Sequence, residues 1–174
     1  LQLKTVQCGT FRSTTNTSLG TSAYELSDYT TTFTPTAITS HILITGGMAF
    51  GHDASYVGRG YLTYNHSGIS ETIIKANANS YACTWRIEAA TDGGASTRGL
   101  GQYSINIHLA PATTNEITFK VRVMTSDTSA PTYINSTGAN QTNANDGGND
   151  ISSLTFWEIS NGITPVVSNT AIDT

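Results

Sequence analysis

The segment 151–160 (ISSLTFWEIS) constrains the fold more than any other stretch of this chain. It is rich in β-branched and aromatic residues and lies between clusters of Asn and Gly, so it is predicted to be a β-strand. Neighbouring side chains of a strand point to opposite faces, which places Leu154 and Phe156 on one face and Thr155, Trp157 and Ile159 on the other. A strand that is apolar on both faces is normally buried on both. We therefore expect one face to line the core of a β-sandwich and the other to contact a further copy of the chain.

The rest of the chain repeats the pattern of short strands separated by turns. Roughly nine or ten strands follow one another at a spacing of about 8–12 residues, and no segment has a helical period. Beside 151–160, strands are predicted at 1–8, 24–33, 40–50, 60–65, 71–76, 81–88, 103–109, 117–125 and 132–136. The pattern is typical of an all-β, antiparallel jelly-roll β-sandwich. We predict a single domain over 1–160 and a polar C-terminal tail over 161–174.

Composition excludes some classes of function. The chain has 174 residues, of which only 11% are charged, and its polar positions are mostly Thr, Ser, Asn and Gly, as is common in extracellular and viral β-proteins. A net charge of −4 with 8 scattered basic residues argues against a nucleic-acid-binding surface. No stretch approaches the ~18 apolar residues of a membrane-inserted helix. Because the chain begins at Leu1 rather than Met, an N-terminal part, such as an attachment domain, can lie outside this sequence.

The two cysteines, Cys8 and Cys83, lie far apart in the sequence. Two single cysteines form neither a metal site nor a disulfide framework. The favoured interpretation is that both are small buried apolar residues. A single bridge between them stays open, because only geometry decides it.

Two features within the predicted strands require a particular environment. Gly46 and Gly47 interrupt an otherwise apolar strand, which predicts a bulge or the close approach of another backbone. Glu158 falls on the core side of its strand, where an unpaired carboxylate is costly. We expect it to bond Lys120 or Arg122, or the same residues of another copy, at the edge of the core or of an interface.

No motif for catalysis is present. The chain lacks a Gly-x-Ser-x-Gly elbow, a His-Glu-x-x-His metal motif and a Gly-rich phosphate loop. Its four histidines lie in separate segments without a second histidine at ligand spacing, and His108 is expected on an outward strand face. The segment 145–150 (NDGGND) offers the oxygen ligands that Ca²⁺ favours, but without EF-hand spacing it is more typical of a turn. We therefore predict no enzymatic activity, no cofactor and no metal site.

Aromatic side chains allow a further use of the surface, as a platform for sugars. Trp85 and Trp157 lie on apolar faces of their strands, so a place in the core or in a subunit interface is expected for both. Tyr56 lies in a predicted loop and is the better candidate for contact with a ligand.

Several phrases of the sequence resemble, in order, a domain that recurs in structural proteins of tailed phages and other aquatic viruses. FTP and SHILI in 33–44 resemble that family's "ITP…SSKILV", and YSINIHL with PATT in 103–114 resembles its "Y…LDSPATTSATTYKV". YIN in 133–135 resembles its "YIN" strand, and SLTFWEI in 153–159 resembles its "SITLMEI" ending. The match runs from the opening strand to the last one and so covers most of the chain.

The resemblance implies a fibre or spike head domain, a jelly roll similar in shape to C1q and tumour-necrosis-factor domains and usually a homotrimer. In such trimers a central strand faces its own core on one side and the three-fold axis on the other. The resemblance thus implies a trimer interface formed by Thr155, Trp157 and Ile159. The chain departs from the family at His41, where Lys is usual, at 108–110, where Leu-Asp-Ser is usual, and at Trp157, where Met is common. The larger Trp is expected to alter packing at the axis.

The function that the resemblance implies is that of a virion structural protein, a tail- or head-fibre knob on the particle surface that attaches to the host. Its partners would be its own copies, other virion proteins and a host-surface glycan or protein, with no nucleic acid and no membrane insertion. Recognition is expected in the loops 51–58, 91–101 and 137–150, with the candidate receptor-binding residues Tyr56, Asp92, Asn145 and Asp146. Two alternatives are a capsid or tail decoration protein without receptor binding, and a carbohydrate-binding module of a secreted protein.

Overall fold

A computed structural model of the chain describes residues 2–10, 12–52, 57–74, 83–88, 99–136 and 151–159. Within these ranges the chain forms eleven β-strands and one short 3-10 helix at Gly20–Ser22. The all-β class predicted from the sequence is therefore confirmed. The predicted tail at 161–174 lies outside the described residues.

The strands are numbered in chain order and agree with most of the predicted segments. They are β1 (Leu3–Cys8), β2 (Arg12–Thr14), β3 (Tyr24–Phe33), β4 (His41–His52), β5 (Val57–His66), β6 (Ile69–Ile74), β7 (Trp85–Glu88), β8 (Gly99–Leu109), β9 (Ile117–Thr125), β10 (Thr132–Ile134) and β11 (Ser152–Ile159).

The first sheet is organised around β4, its longest strand. On one side β4 pairs antiparallel with β8 over its whole length, from Ile42 opposite Leu109 to His52 opposite Gly99. On the other side it pairs first with β11 and then with β10. At the outer edge, β1 pairs antiparallel with β11, and β2 pairs antiparallel with β10. Thus β1–β2 and β10–β11 each act as one interrupted strand, and the sheet is four strands wide.

The second sheet has the order β3–β9–β5, and β7 and β6 lie end to end along the other edge of β5, so that they too act as one interrupted strand. Counting β1–β2, β6–β7 and β10–β11 as one strand each leaves eight strands, numbered along the chain. Their order is 1-8-3-6 in the first sheet and 2-7-4-5 in the second. This is the double Greek key of a jelly roll, so the predicted jelly-roll sandwich is confirmed.

The core lies between the two sheets and is filled by the inward side chains of both. The rings of Phe156 and Phe119, from opposite sheets, lie 4.7 Å apart. Trp85 is 4% exposed, and its ring centroid lies 5.9 Å from that of Phe50 in an edge-to-face arrangement. The indole packs on Gly60, where a Cβ would lie only 2.9 Å from it. Each such fully buried large side chain contributes about 1.5–3 kcal/mol. The core placement expected for Trp85 is therefore observed.

The structure corrects the prediction for the segment that precedes β7. In the strand predicted over 81–88, Cys83 would share a face with Trp85, but it packs instead against Ala23, Tyr61 and Met124, on the outer side of the second sheet. The alternation fails because β7 begins only at Trp85. Both cysteines are free and partly buried, and Cys8 packs against the main core.

A second correction concerns the segment after β1, where the sequence predicted a loop over 9–22. Three residues of it, Arg12–Thr14, form β2 by pairing with β10. The 3-10 helix Gly20–Ser22 follows. A three-residue strand is too short to show an alternating pattern in the sequence. It is recognised only by its pairing with β10.

Gly46 makes possible the close approach of β4 and β11. The pairing of β4 is in register through Gly46 and Gly47 on both sides, so no bulge is present there. Gly46 has φ +137°, and a Cβ at this position would lie 2.1 Å from the carbonyl oxygen of Ser153. Of the two explanations offered by the sequence, the close backbone approach is the one observed.

We predict that Gly46→Ala destabilises the protein by at least ~3 kcal/mol, since it adds a steric clash with a backbone atom to an unfavourable φ. Gly68→Ala is the matched control, because Gly68 also has a positive φ, +91°, but open space around it. That control should cost about 1–2 kcal/mol. The measurement is urea unfolding of both variants, and equal losses would contradict the close-approach explanation.

Candidate assembly surface

The outer face of the first sheet carries two rows of side chains that run across its four strands. In the first row, β1, β11, β4 and β8 supply Leu3, Trp157, Leu43 and His108, each opposite the next. In the second row the same strands supply Thr5, Thr155, Thr45 and Asn106. Ile159 and His41 stand opposite each other beyond the first row. These ten residues are called the neutral face.

The apolar part of the neutral face is accessible in the single chain. Leu3 is 57% exposed and Trp157 is 38% exposed, whereas Leu154 and Phe156 on the inner side of β11 are fully buried. The indole nitrogen of Trp157 donates to Thr45 Oγ1 at 3.3 Å, and the hydroxyls of Thr5 and Thr155 lie 3.1 Å apart. Hydroxyl groups thus bond to one another beside an exposed apolar row. Thr155, Trp157 and Ile159 lie where the sequence placed them; their contact with another copy stays a prediction.

No ionised side chain points out of this face. The strands β1, β4, β8 and β11 contain only two residues of the Lys, Arg, Asp and Glu types, namely Lys4 and Glu158. Both belong to the inner side of the sheet. The Lys4 amine donates to the carbonyl of Thr32 in β3 at 2.7 Å. This charged side chain thus connects the edge strands of the two sheets. Glu158 is fully buried.

The outer face of the second sheet has the opposite character. Arg122 binds both carboxylate oxygens of Glu71 and one oxygen of Glu25, and Lys120 binds the same Glu25 oxygen at 2.9 Å. At one end this face is covered by its own chain, since Tyr61 and Met124 are buried there with Ala23. The second sheet therefore presents ion pairs to water where the first presents none.

The structure corrects the predicted partner of Glu158. The residue lies on the core side, as expected, but it does not bond Lys120 or Arg122, which bind Glu25 and Glu71. Glu158 Oε1 accepts from the backbone N–H and the hydroxyl of Thr36, both at 2.6 Å. Burial raises the pKa of Glu158, but hydrogen bonds from Ser40 and Thr36 outweigh it and hold the pKa below its ordinary value. Donors of the β3–β4 connection thus solvate Oε1 of this carboxylate from within the same chain.

Two loops expected to carry recognition leave the same end of the sandwich. His52 at the end of β4 pairs with Gly99 at the start of β8, and Val57 at the start of β5 pairs with Glu88 at the end of β7. The connections 53–56 and 89–98 therefore begin and end side by side. Their own residues, including the candidates Tyr56 and Asp92, lie outside the described ranges.

The third loop is anchored elsewhere. It begins after β10 and ends before β11, at the break between the two halves of one interrupted strand, so it leaves from the middle of the first sheet. Asn135 is fully buried there with φ +59°, and its Nδ2 lies 3.0 Å from the carbonyl oxygens of Cys8 and Thr10 and from the hydroxyl of Tyr29. Ser152 donates to Asn135 Oδ1. The candidates Asn145 and Asp146 lie outside the described residues.

No group of three or more His, Cys, Asp and Glu side chains in the described ranges could hold a metal ion. The described residues also include no helix of the length and hydropathy that crossing a membrane requires.

The candidate surface is identified by the register of its strands rather than by a motif of residue types. Leu3, Leu43 and His41 were missed as its members by sequence reasoning, because only strand pairing places them beside Trp157.

We predict that stability falls as the pH drops below about 4.5, the ordinary pKa of Glu25, Glu71 and Glu158. Burial raises each of these pKa values, but hydrogen bonds and, for Glu25 and Glu71, cations lower them more. A carboxyl group with a depressed folded-state pKa stabilises the fold above its ordinary pKa, and this contribution is lost as the group is protonated. The free energy of unfolding, measured by urea titration from pH 7 to pH 3, should show the loss.

Arg122→Met should cost about 1–3 kcal/mol at pH 7 and flatten that acid loss, because Glu71 and Glu25 lose their shared cation. Arg12→Met is the matched control, since Arg12 and Asp28 form an exposed ion pair at 2.7 Å. Exposed pairs contribute less than about 1 kcal/mol. An unchanged acid slope in Arg122→Met would contradict this assignment.

We predict that Asn135→Gly destabilises the protein by about 2–4 kcal/mol, because the buried Ser152 hydroxyl loses its acceptor and the carbonyl of Thr10 loses its donor, while the carbonyl of Cys8 keeps only the Tyr29 hydroxyl. Glycine keeps the positive φ, so the loss reports the side chain. Ala112→Gly is the control at an exposed residue with φ 51°, where the change should stay within ~1 kcal/mol. Urea unfolding measures both, and a neutral Asn135→Gly would refute the anchoring role.

Comparison with known proteins gives distant structural similarities. Neither a protein-family model nor a curated protein matches the chain. Among solved structures, the VP2 subviral particle of infectious bursal disease virus has 15% identity and a TM-score of 0.43, over 94% of this chain and 34% of that one. The Gx strain of the same virus has 14% identity and a TM-score of 0.44, over 92% of this chain and 32% of that one. The chain thus spans about a third of the length of these proteins.

Proposed function

We propose that this chain is a structural protein of a virus particle, the knob of a tail or head fibre. Its copies associate through the neutral face and present loops to the host surface. The observation that carries the proposal is the contrast between the two outer faces of the sandwich. One bears a network of Arg, Lys and Glu, and the other bears an exposed apolar row without any ionised group.

The neutral face suits a second copy of the same chain. The cores of protein interfaces are depleted of charged residues and enriched in aromatic ones, as this face is around Trp157. Copies of a chain with a net charge of −4 repel one another, but contact through an uncharged face brings no like charges together. The hydroxyls of Thr5, Thr155 and Thr45 can form hydrogen bonds to another copy across such a contact, and no charged group has to be buried for this.

A trimer is the arrangement that we favour. The resemblance to fibre head domains implies a three-fold axis beside the outer side of the last strand. In this chain that strand is β11, and its outward residues are Thr155, Trp157 and Ile159. β11 lies inside the sheet, between β1 and β4, so a contact at its outer side also covers Leu3 and Leu43.

The viral setting rests on topology and resemblance together. Jelly rolls build viral capsid proteins, but also lectins and cupins, so the fold by itself is not a function. The phrases SLTFWEI and PATT, in the order found in fibre head domains, favour the viral use. Other virion proteins are then the second class of partner, and the surface of the particle is the location.

Attachment to a host is assigned to the loops. The connections 53–56 and 89–98, with Tyr56 and Asp92, start from one end of the sandwich, where a trimer can present three copies of each. The insertion with Asn145 and Asp146 starts from the middle of the first sheet, next to the buried Asn135. Loops on a rigid sandwich are the usual place for recognition. The ligand would be a glycan or a protein of the host surface.

One observation favours a second candidate. An indole that is 38% exposed on a flat sheet can stack on a sugar ring, which is how a carbohydrate-binding module of a secreted protein would use Trp157. Such a module is a monomer whose neutral face stays open. The oligomeric state therefore separates the two candidates.

We predict that the protein sediments as a trimer at neutral pH and that Trp157→Arg yields monomers. A buried aromatic at an interface centre contributes at least ~2 kcal/mol, so its loss together with a new charge should weaken association about 30-fold or more. Tyr24→Arg is the matched control, since Tyr24 is 41% exposed but lies on the second sheet. Sedimentation equilibrium measures all three proteins. Iodide quenching adds an independent readout, because Trp85 is buried and the signal reports Trp157.

A monomer whose tryptophan fluorescence iodide quenches freely would rule out the fibre-knob proposal. Binding of that monomer to a glycan array, lost in Trp157→Ala, would favour the carbohydrate-binding module. For a trimer, the array and intact host cells test attachment. If the trimer binds neither and shortening 137–150 leaves infection unchanged, the protein is a decoration of the capsid or tail.

A further inference from the structure

Two histidines lie in contact at one side of the neutral face. His41 on β4 and His108 on β8 stack with their ring centroids 4.5 Å apart and an interplanar angle of 18°. The stack lies beside the Leu3–Trp157–Leu43 row, because His108 stands opposite Leu43. Nδ1 of His41 is buried and has no hydrogen-bond partner among the residues that the structure describes.

No opposite charge faces this pair from the strands of its sheet. β11 presents Ile159 and Trp157, β4 presents Leu43, and β8 presents Asn106 on the same side. Lys4 of β1 and Glu158 of β11 are the ionised residues of the four strands that form this face. Both face inward, where Glu158 is bonded to Thr36 and Lys4 to Thr32. Positive charge on either imidazole would therefore meet no carboxylate within the outer side of the sheet.

We propose that the His41–His108 pair makes self-association through the neutral face sensitive to acid, so that assemblies held by this face come apart between pH 8 and pH 5. The inference rests on the proposed assembly. Histidine is the side chain that gains charge in this range. In the single chain a protonated ring can be solvated, but in the assembly it is covered by apolar surface beside a second imidazole.

The direction follows from linkage. Covering a group that is charged in water favours its neutral form, so the assembled state binds fewer protons than the free chain. Association must then weaken as the pH falls. If assembly excludes one proton from each copy, the association constant falls about tenfold per copy for each unit by which the pH drops. Each copy brings its own pair, which multiplies the effect in a trimer.

Sedimentation equilibrium at pH 8, 7, 6 and 5 tests the proposal on the whole chain. The wild type should form trimers at pH 8 and lose at least about tenfold in association constant by pH 5. His108→Gln and His41→Phe each remove one of the two titrating groups, the second with an aromatic ring kept in the stack, and each should lose less association by pH 5 than the wild type. His66→Gln is the control, because His66 lies on β5 of the other sheet and should leave the acid response unchanged. Circular dichroism at each pH reports that the fold persists.

The outcomes separate the two proposals. Monomers at pH 8 overturn the assembly itself and the switch with it. Trimers that persist equally at pH 8 and pH 5 overturn the switch but leave the assembly standing. Dissociation at pH 5 that is the same in wild type, His108→Gln and His41→Phe overturns the assignment to this pair. The depressed pKa values of Glu25, Glu71 and Glu158 place their loss of stability below 4.5, outside the range tested.

Discussion

The fold depends on the pairing of β4 with three other strands at once. β8 covers one edge of β4 throughout, and β11 and β10 share the other edge. The change from β11 to β10 occurs within a few residues, and Gly46 and Asn135 are the residues that permit it. Gly46 lets the β11 backbone approach without a side chain between the strands, and Asn135 satisfies the carbonyls left open where the edge strand is also interrupted. With both in place, this edge of β4 is paired with β11 from His41 to Gly47 and with β10 from Phe50 to His52, so the sheet continues across the change of partner.

Continuity of that sheet is what gives the molecule two unlike surfaces. Inside, Phe156 and Leu154 meet the second sheet and form a dry core. Outside, the register of four strands aligns Leu3, Trp157 and Leu43 in a row that no single strand contains. The outer side of the second sheet instead carries ion pairs around Arg122. The exposed apolar row is the surface through which we propose that copies of the chain associate.

Sequence reasoning succeeded where a property is local to one strand. The alternation in β11 correctly placed Leu154 and Phe156 inside, and the side occupied by Glu158 was also correct. It failed where two distant segments meet. The partner of Glu158 is Thr36, 122 residues away, and a threonine in a connection carries no charge that would mark it as a partner. Cys83 was misplaced because the pattern was extended beyond the point where β7 pairs with β5.

The sequence by itself determined that this chain forms strands, which side chains of each strand point together, and that β11 is apolar on both sides. These follow from the pleat of a strand, which needs no partner to set the direction of its side chains. Only the tertiary structure decided which strands are neighbours and in what register. That decision stacked His41 on His108, anchored the long insertion on Asn135 and left one face without charge. Register is a property of two segments far apart in the chain, and it is selected by packing of the whole sandwich rather than by either segment alone.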